Sequence, residues 1–182
     1  MPMKKLMMLA LALFAAGGAM AQMNPMQPIP ADKDLRTGKL ENGLTYYIRH
    51  NEKPKGQADF YILHDVGAIQ ENDSQQGLAH FLEHKLFENE DCDVFDLYAK
   101  TGANANAFTS FDKTCYFFSC SDNFKASLEI LLSFVQSPYF TPESVAKEQG
   151  IIGQEIRMCD DDPGWRVFFN MLCGLYQKHP VR

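Results

Sequence analysis

Two periods of apolar residues alternate along this chain, and the switches between them divide it into elements. Residues 22 to 38, with Pro25, Pro28 and Pro30, predict an extended lead-in. Glu41-Asn42-Gly43 is a turn signal, and Leu44 to Arg49 after it is rich in Tyr and β-branched residues, as strands are. Lys53-Pro54-Lys55-Gly56 breaks the chain. From Asp59 to Val66 the pattern alternates, with Phe60, Ile62 and Val66 on one face, which predicts a second strand. The period then changes. Leu78 to Phe87 predicts a helix, a short helix follows near Val94 to Ala99, and Thr101 to Cys120 suits two strands around Asp112-Lys113. Phe124, Leu128, Leu131, Leu132 and Val135 recur at helical spacing until Pro138. Thr141 as N-cap with Pro142 at the first helical position opens another helix, and a last one follows the break at residues 160–164. Strands and helices mixed in this order predict an α+β fold, a mixed or antiparallel sheet with helices packed on it.

The first residues follow a different logic. Lys4-Lys5 precedes an apolar run from Leu6 to Ala16, and small residues lead to Ala19-Met20-Ala21. A basic start, a short apolar stretch and an A-x-A site predict a signal peptide over residues 1–21, with a mature domain over 22–182. The run is too short to span a bilayer comfortably, and no other segment is long enough, so the expectation is an exported protein, periplasmic or extracellular, without a membrane anchor. Seventeen basic against twenty-three acidic residues give a net charge of −6, with no basic run beyond a pair. Phosphate binding needs concentrated positive charge, so a nucleic-acid partner is not expected. The five cysteines have no CxxC or Cys/His zinc spacing; they read as mostly buried small hydrophobes with at most one or two bridges.

The chemistry concentrates in His80-Phe81-Leu82-Glu83-His84. On a helix, residues four apart lie about 40° from each other, and Glu83 falls about 60° to the other side of His80, so all three project in one arc. Imidazoles at this spacing suit Zn²⁺, and the neighbouring carboxylate can take a proton from water. Leu78, Phe81, Leu82 and Leu86 occupy the opposite side, which predicts a buried helix. Further on, Val145, Ile152 and Ile156 form an apolar stripe, and Glu148 and Glu155 fall on it. Carboxylates on a buried stripe conflict with their solvation unless a cation faces them. Either glutamate can complete a His₂Glu site with a fourth position left for water.

These residues match a family. HxxEH is the inverzincin signature, and the chain resembles the pitrilysin/insulinase family of zinc metallopeptidases, in the N-terminal half-domain shared with mitochondrial processing peptidase. The resemblance covers about residues 36 to 180. It rests on Asn42-Gly43-Leu44, Gly77 to His84, Asn106-Ala107-Phe108-Thr109 with Thr114 and Tyr116, Glu148 and Glu155 seven apart, and His179-Pro180. It implies His80, His84 and Glu155 as zinc ligands, Glu83 as general base, and Glu148 as support from outside the coordination set. It also implies that Asn106, Ala107, Phe108 and Thr109 bind an extended peptide or unfolded protein by sheet addition. Two departures stand out. Lys85 replaces an apolar residue, and a buried Lys there needs an acidic partner or an outward path. Asn89-Glu90 replaces Gly-Thr. The resemblance further implies a second half-domain or partner subunit, carrying the Arg and Tyr that polarise the scissile carbonyl. The function expected is an exported zinc metalloendopeptidase; the alternative is a non-catalytic binding or assembly subunit, or an inactive fragment, of the same fold. S-ribosylhomocysteine lyase also uses a His-x-x-Glu-His pair, but it has Thr in place of Phe81 and a Cys ligand that no cysteine here matches in spacing.

Overall fold

In the computed structural model, residue 28 and residues 30–182 are described; the signal peptide expected over 1–21 lies outside them. The described chain divides after Asn51 into two units. The first is an antiparallel hairpin of β1 (Leu35–Lys39) and β2 (Thr45–Arg49), in register from Leu35↔Arg49 to Lys39↔Thr45. Its turn is closed by Leu40 N–H to the Leu44 carbonyl at 2.8 Å, and the Asn42 side chain accepts from the Leu44 amide at 3.1 Å. The extended lead-in expected over 22–38 thus ends in a paired strand. Leu35-Arg-Thr-Gly-Lys has no alternation of its own, and its partner defines it.

The second unit holds a three-stranded sheet, five α-helices and a short 3₁₀ helix at Ala68–Gln70. β3 (Ala58–His64), β4 (Asn104–Thr109) and β5 (Thr114–Cys120) pair in the order β3-β5-β4, both pairs antiparallel. The aromatic-rich β5 is therefore central and the most buried strand, and β4 is an edge. The helices are α1 (Leu78–Leu86), α2 (Val94–Thr101), α3 (Phe124–Phe134), α4 (Pro142–Asp161) and α5 (Pro163–Leu175). Asp93 caps α2 by accepting from the Phe95 amide, and Thr141 and Ser144 form a reciprocal capping box on α4. The break expected over 160–164 shrinks to Asp162 alone. Its carboxylate accepts from the Gly164 and Trp165 amides and starts α5 at once.

Every second residue of β5, with Tyr116, Phe118 and Cys120, enters a core completed by Val94 and Tyr98 of α2, Leu131 and Phe134 of α3, and Phe87. Ring pairs knit it: Phe60 stacks on Phe118 at 4.7 Å, and Phe87 lies 5.0 Å from Phe134. Of the cysteines, Cys115 and Cys120 are buried, Cys92 is half-buried, and Cys159 and Cys173 are exposed. All five are free thiols, so the bridges allowed by the count do not form and only two cysteines pack as core hydrophobes.

Two expectations about helix faces hold only in part. On α1, Leu78 and Leu82 are exposed at 41% and 38%, while Ala79, Glu83 and Lys85 are buried. Glu83 and Lys85, about 200° apart around the helix, are buried on different sides, Glu83 against Thr109 of β4 and Lys85 against Ser144 of α4, while Leu86 packs on the core. On α4, Glu148 is buried, but Ile156 is 56% exposed and the Glu155 side chain 42% exposed. The stripe is buried only over its first half, so the solvation conflict applies to Glu148 and not to Glu155.

Candidate metal centre

The site begins in the β4–β5 hairpin. Gly67 lies so close to it that a Cβ would sit 2.4 Å from the Ser110 carbonyl, so only glycine fits. This contact lets the amides of Ala68 and Ile69 donate to the carbonyls of Ser110 and Phe111, at 3.1 and 2.8 Å. Docked there, the loop delivers Glu71 to the start of α1. Its carboxylate accepts from the amides of Gly77 and Ala79, both at 2.7 Å. Gly77, with φ of +88°, has no side chain to cap the helix, and Glu71 takes that role; an anion at a helix N-terminus also complements the dipole. Spacing in the sequence gave no sign of it, since the cap comes from six residues upstream instead of from the N-cap position.

From this anchored helix His80 and His84 project together, with Nε2 atoms 3.1 Å apart and rings edge-to-face. Glu155 of α4 brings one carboxylate oxygen to 3.6 Å from each Nε2. All three ligand atoms lie within 4.8 Å of one another. A tetrahedral zinc with ligands at about 2.0–2.1 Å has ligand–ligand edges of about 3.3–3.4 Å. The three observed edges bracket that value, so the donor set fits zinc in both chemistry and spacing. Of the two glutamates on the stripe, Glu155 faces both imidazoles, whereas Glu148 meets His84 alone.

Glu148 stands behind His84. Its carboxylate lies 2.8 Å from His84 Nδ1, and the pair is mostly shielded from water. With Nδ1 donating there, Nε2 keeps its lone pair toward Glu155 and His80. Glu83 is buried on the sheet side of α1, where Thr109 Oγ1 donates to one carboxylate oxygen at 2.7 Å. Thr114, 3.4 Å from Thr109, donates to the Val66 carbonyl at 2.9 Å. Burial, with the nearby Glu83 charge, pushes the Tyr116 phenol well above its ordinary range.

The four residues expected to bind substrate divide in two. Ser110 N–H donates to the Lys113 carbonyl, so by the antiparallel alternation Asn104, Asn106 and Phe108 bond toward β5. Ala105, Ala107 and Thr109 turn their backbone groups to the open edge. Asn106 is exposed and its side chain accepts from the Ala107 amide at 2.8 Å; Phe108 is exposed as well. The Thr109 side chain is committed to Glu83. Next to His80 and Thr109 opens a cleft of about 710 Å³ walled by Phe111, Trp165, Phe168 and Phe169. The wall was missed in sequence, although Trp165, Phe168 and Phe169 carry the signal, an i, i+3, i+4 set on one helix face.

Comparison with known proteins follows the same outline. A family described as Insulinase (Peptidase family M16) matches residues 46–182. The Bacillus subtilis protein named uncharacterized zinc protease YmfH is 58% identical over 106 residues, which cover 58% of this chain and 25% of YmfH. Among solved structures, an M16-like peptidase from Alicyclobacillus acidocaldarius superposes with a TM-score of 0.74 at 37% identity, over 85% of this chain and 38% of that one. The periplasmic protease PqqL of Escherichia coli superposes with a TM-score of 0.70 at 31% identity, over 78% of this chain and 17% of PqqL. The chain therefore spans well under half the length of these relatives.

Proposed function

The chain belongs to the insulinase (M16) peptidase family, and from that premise we propose that it is the metal-binding half of an exported zinc endopeptidase. The observation that carries the reading is the meeting of His80, His84 and Glu155 at zinc-compatible spacing, on a helix that also carries the buried Glu83. The zinc-protease name of YmfH supports the choice of metal. Export is supported by the leader pattern of residues 1–21 and by likeness to a periplasmic protease. A second half-domain, in the same chain or in a partner, completes the cleft around a peptide.

Zinc held by these ligands supplies a Lewis acid that acidifies water and polarises a peptide carbonyl. The chain's own residues do the rest. Thr109 fixes Glu83 through one oxygen, which leaves the other to accept the proton that water gives up. Glu148 holds the His84 ring in one tautomer. Asn106 to Thr109 on the open edge of β4 bind an extended peptide by adding it as a strand; Asn106 gives up the Ala107 amide to do so. The aromatic cleft beside His80 takes an apolar side chain next to the scissile bond and keeps water out. Cleavage of a peptide with an aromatic residue, measured with and without a second half-domain, tests this. Glu83→Gln should abolish it while zinc remains bound. Undiminished cleavage in that variant removes Glu83 from the mechanism.

A further inference from the structure

Lys85 is fully buried, follows the metal-facing His84, and takes no part in the chemistry above. Its ammonium is satisfied on three sides. The Glu88 carboxylate, one turn along, pairs with it. Ser144 Oγ of α4 accepts from Nζ at 2.9 Å, and the Phe140 ring lies 5.9 Å away. Because Glu88 already balances the charge locally, the bond to Ser144 contributes position above all. Ser144 is itself fixed, since its hydroxyl accepts from the Thr141 amide at 3.1 Å and lies 3.2 Å from the Thr141 carbonyl.

The partners across the two helices run in opposite order. His80 and His84 face Glu155, His84 also meets Glu148, and Lys85 meets Ser144. Ser144 and Glu148 are one helical turn apart, and Glu155 lies about 10 Å further along α4 at 1.5 Å per residue. These contacts form a ladder whose last rung is Lys85–Ser144 and whose first is the metal site. Metal–ligand distances tolerate only about 0.2 Å of error, so a small slide or rotation of α4 takes Glu155 out of reach.

We propose that Lys85, through Ser144, is a positioning residue that sets the register of α4 on α1 and so holds Glu155 at the metal. This rests on the metal-centre reading above. The test uses the full chain and Co²⁺ alone as probe. Affinity is read by chelator competition, geometry by the visible absorption of the bound ion, and stability by melting of the metal-free chain. Lys85→Met and Ser144→Ala should each weaken Co²⁺ binding about tenfold and alter the absorption, and the double variant should lose no more than either single one. Metal-free Lys85→Met should melt lower than the parent, because it removes one partner and leaves the Glu88 carboxylate without its cation, so the spectrum of the bound ion, and not melting, decides. A purely structural role moves melting and leaves the spectrum of the bound metal unchanged. Parental affinity and spectrum in Lys85→Met overturn the proposal, as do losses that multiply in the double variant. If Lys85→Met does not fold, Ser144→Ala decides alone, since Thr141 Oγ1 still caps the helix. A parent chain that binds no Co²⁺, or binds it equally after His80→Ala, overturns the metal reading itself and this proposal with it.

Discussion

Replacing Glu148 separates the metal ligands from what holds them. Its carboxylate is within 2.8 Å of His84 Nδ1 and largely out of water, so the bond is charge-assisted and poorly replaced by solvent. A hydrogen bond to a charged group contributes about 1.5–3 kcal/mol and a neutral one about 0.5–1.5 kcal/mol. Glu148→Gln keeps an acceptor and removes the charge, so it should cost about 1 kcal/mol of zinc binding, roughly five- to tenfold in affinity. Glu148→Ala removes the acceptor altogether. His84 then loses its preference for the tautomer with a free Nε2, and affinity should fall about 10- to 100-fold, the range for partners of ligating histidines. The assay is competition with a chromogenic chelator at fixed pH and salt. The order parent, Gln, Ala is the diagnostic result. If alanine binds zinc as tightly as the parent, Glu148 does not orient His84, and the assignment of Nδ1 as donor is wrong.

Three further outcomes follow from the same geometry. Thr109→Val, which removes the hydroxyl bonded to Glu83 and keeps the shape, should lower kcat about tenfold or more at unchanged zinc content; loss of zinc instead would place Thr109 in the metal's support and not the base's. Trp165→Ala should raise KM about tenfold for peptides with a large apolar residue at the scissile bond and much less for those with a small one, and an equal change for both would show that the cleft does not select side chains. Burial pushes the Cys115 and Cys120 thiols above their ordinary range, so less thiolate is present at pH 8 than in an exposed cysteine. A disulfide reagent should therefore label Cys159 and Cys173 quickly and Cys115 and Cys120 only on unfolding, with rapid labelling of all five contradicting the packing.

The local signals in the sequence were sound where an element carries its own pattern. Thr141-Pro142 marks the start of α4, the aromatic run marks β5, and His80 with His84 four apart places two imidazoles on one face. What the sequence concealed depends on partners far along the chain. The apolar side of α1 suggests the face that should be buried, yet Glu83 and Lys85 turn inward because Thr109 and Ser144 await them there. Partners 26 and 59 residues away are invisible to a pattern spanning three or four. Glu155 illustrates the converse: the apolar stripe marks it and Glu148 alike as buried, whereas Glu155 reaches the imidazoles from a half-exposed position. Glu71 has no spacing signal at all, since it caps α1 from a loop whose path depends on Gly67 fitting against the hairpin.

The central claim is that His80, His84 and Glu155 form one zinc site, and metal content at neutral pH tests it most directly. The chain, stripped of metal and dialysed against micromolar zinc, should retain one ion. His80→Ala, His84→Ala and Glu155→Ala should each retain far less while still folding. A chain that retains no zinc, or variants that retain as much as the parent, would contradict the account.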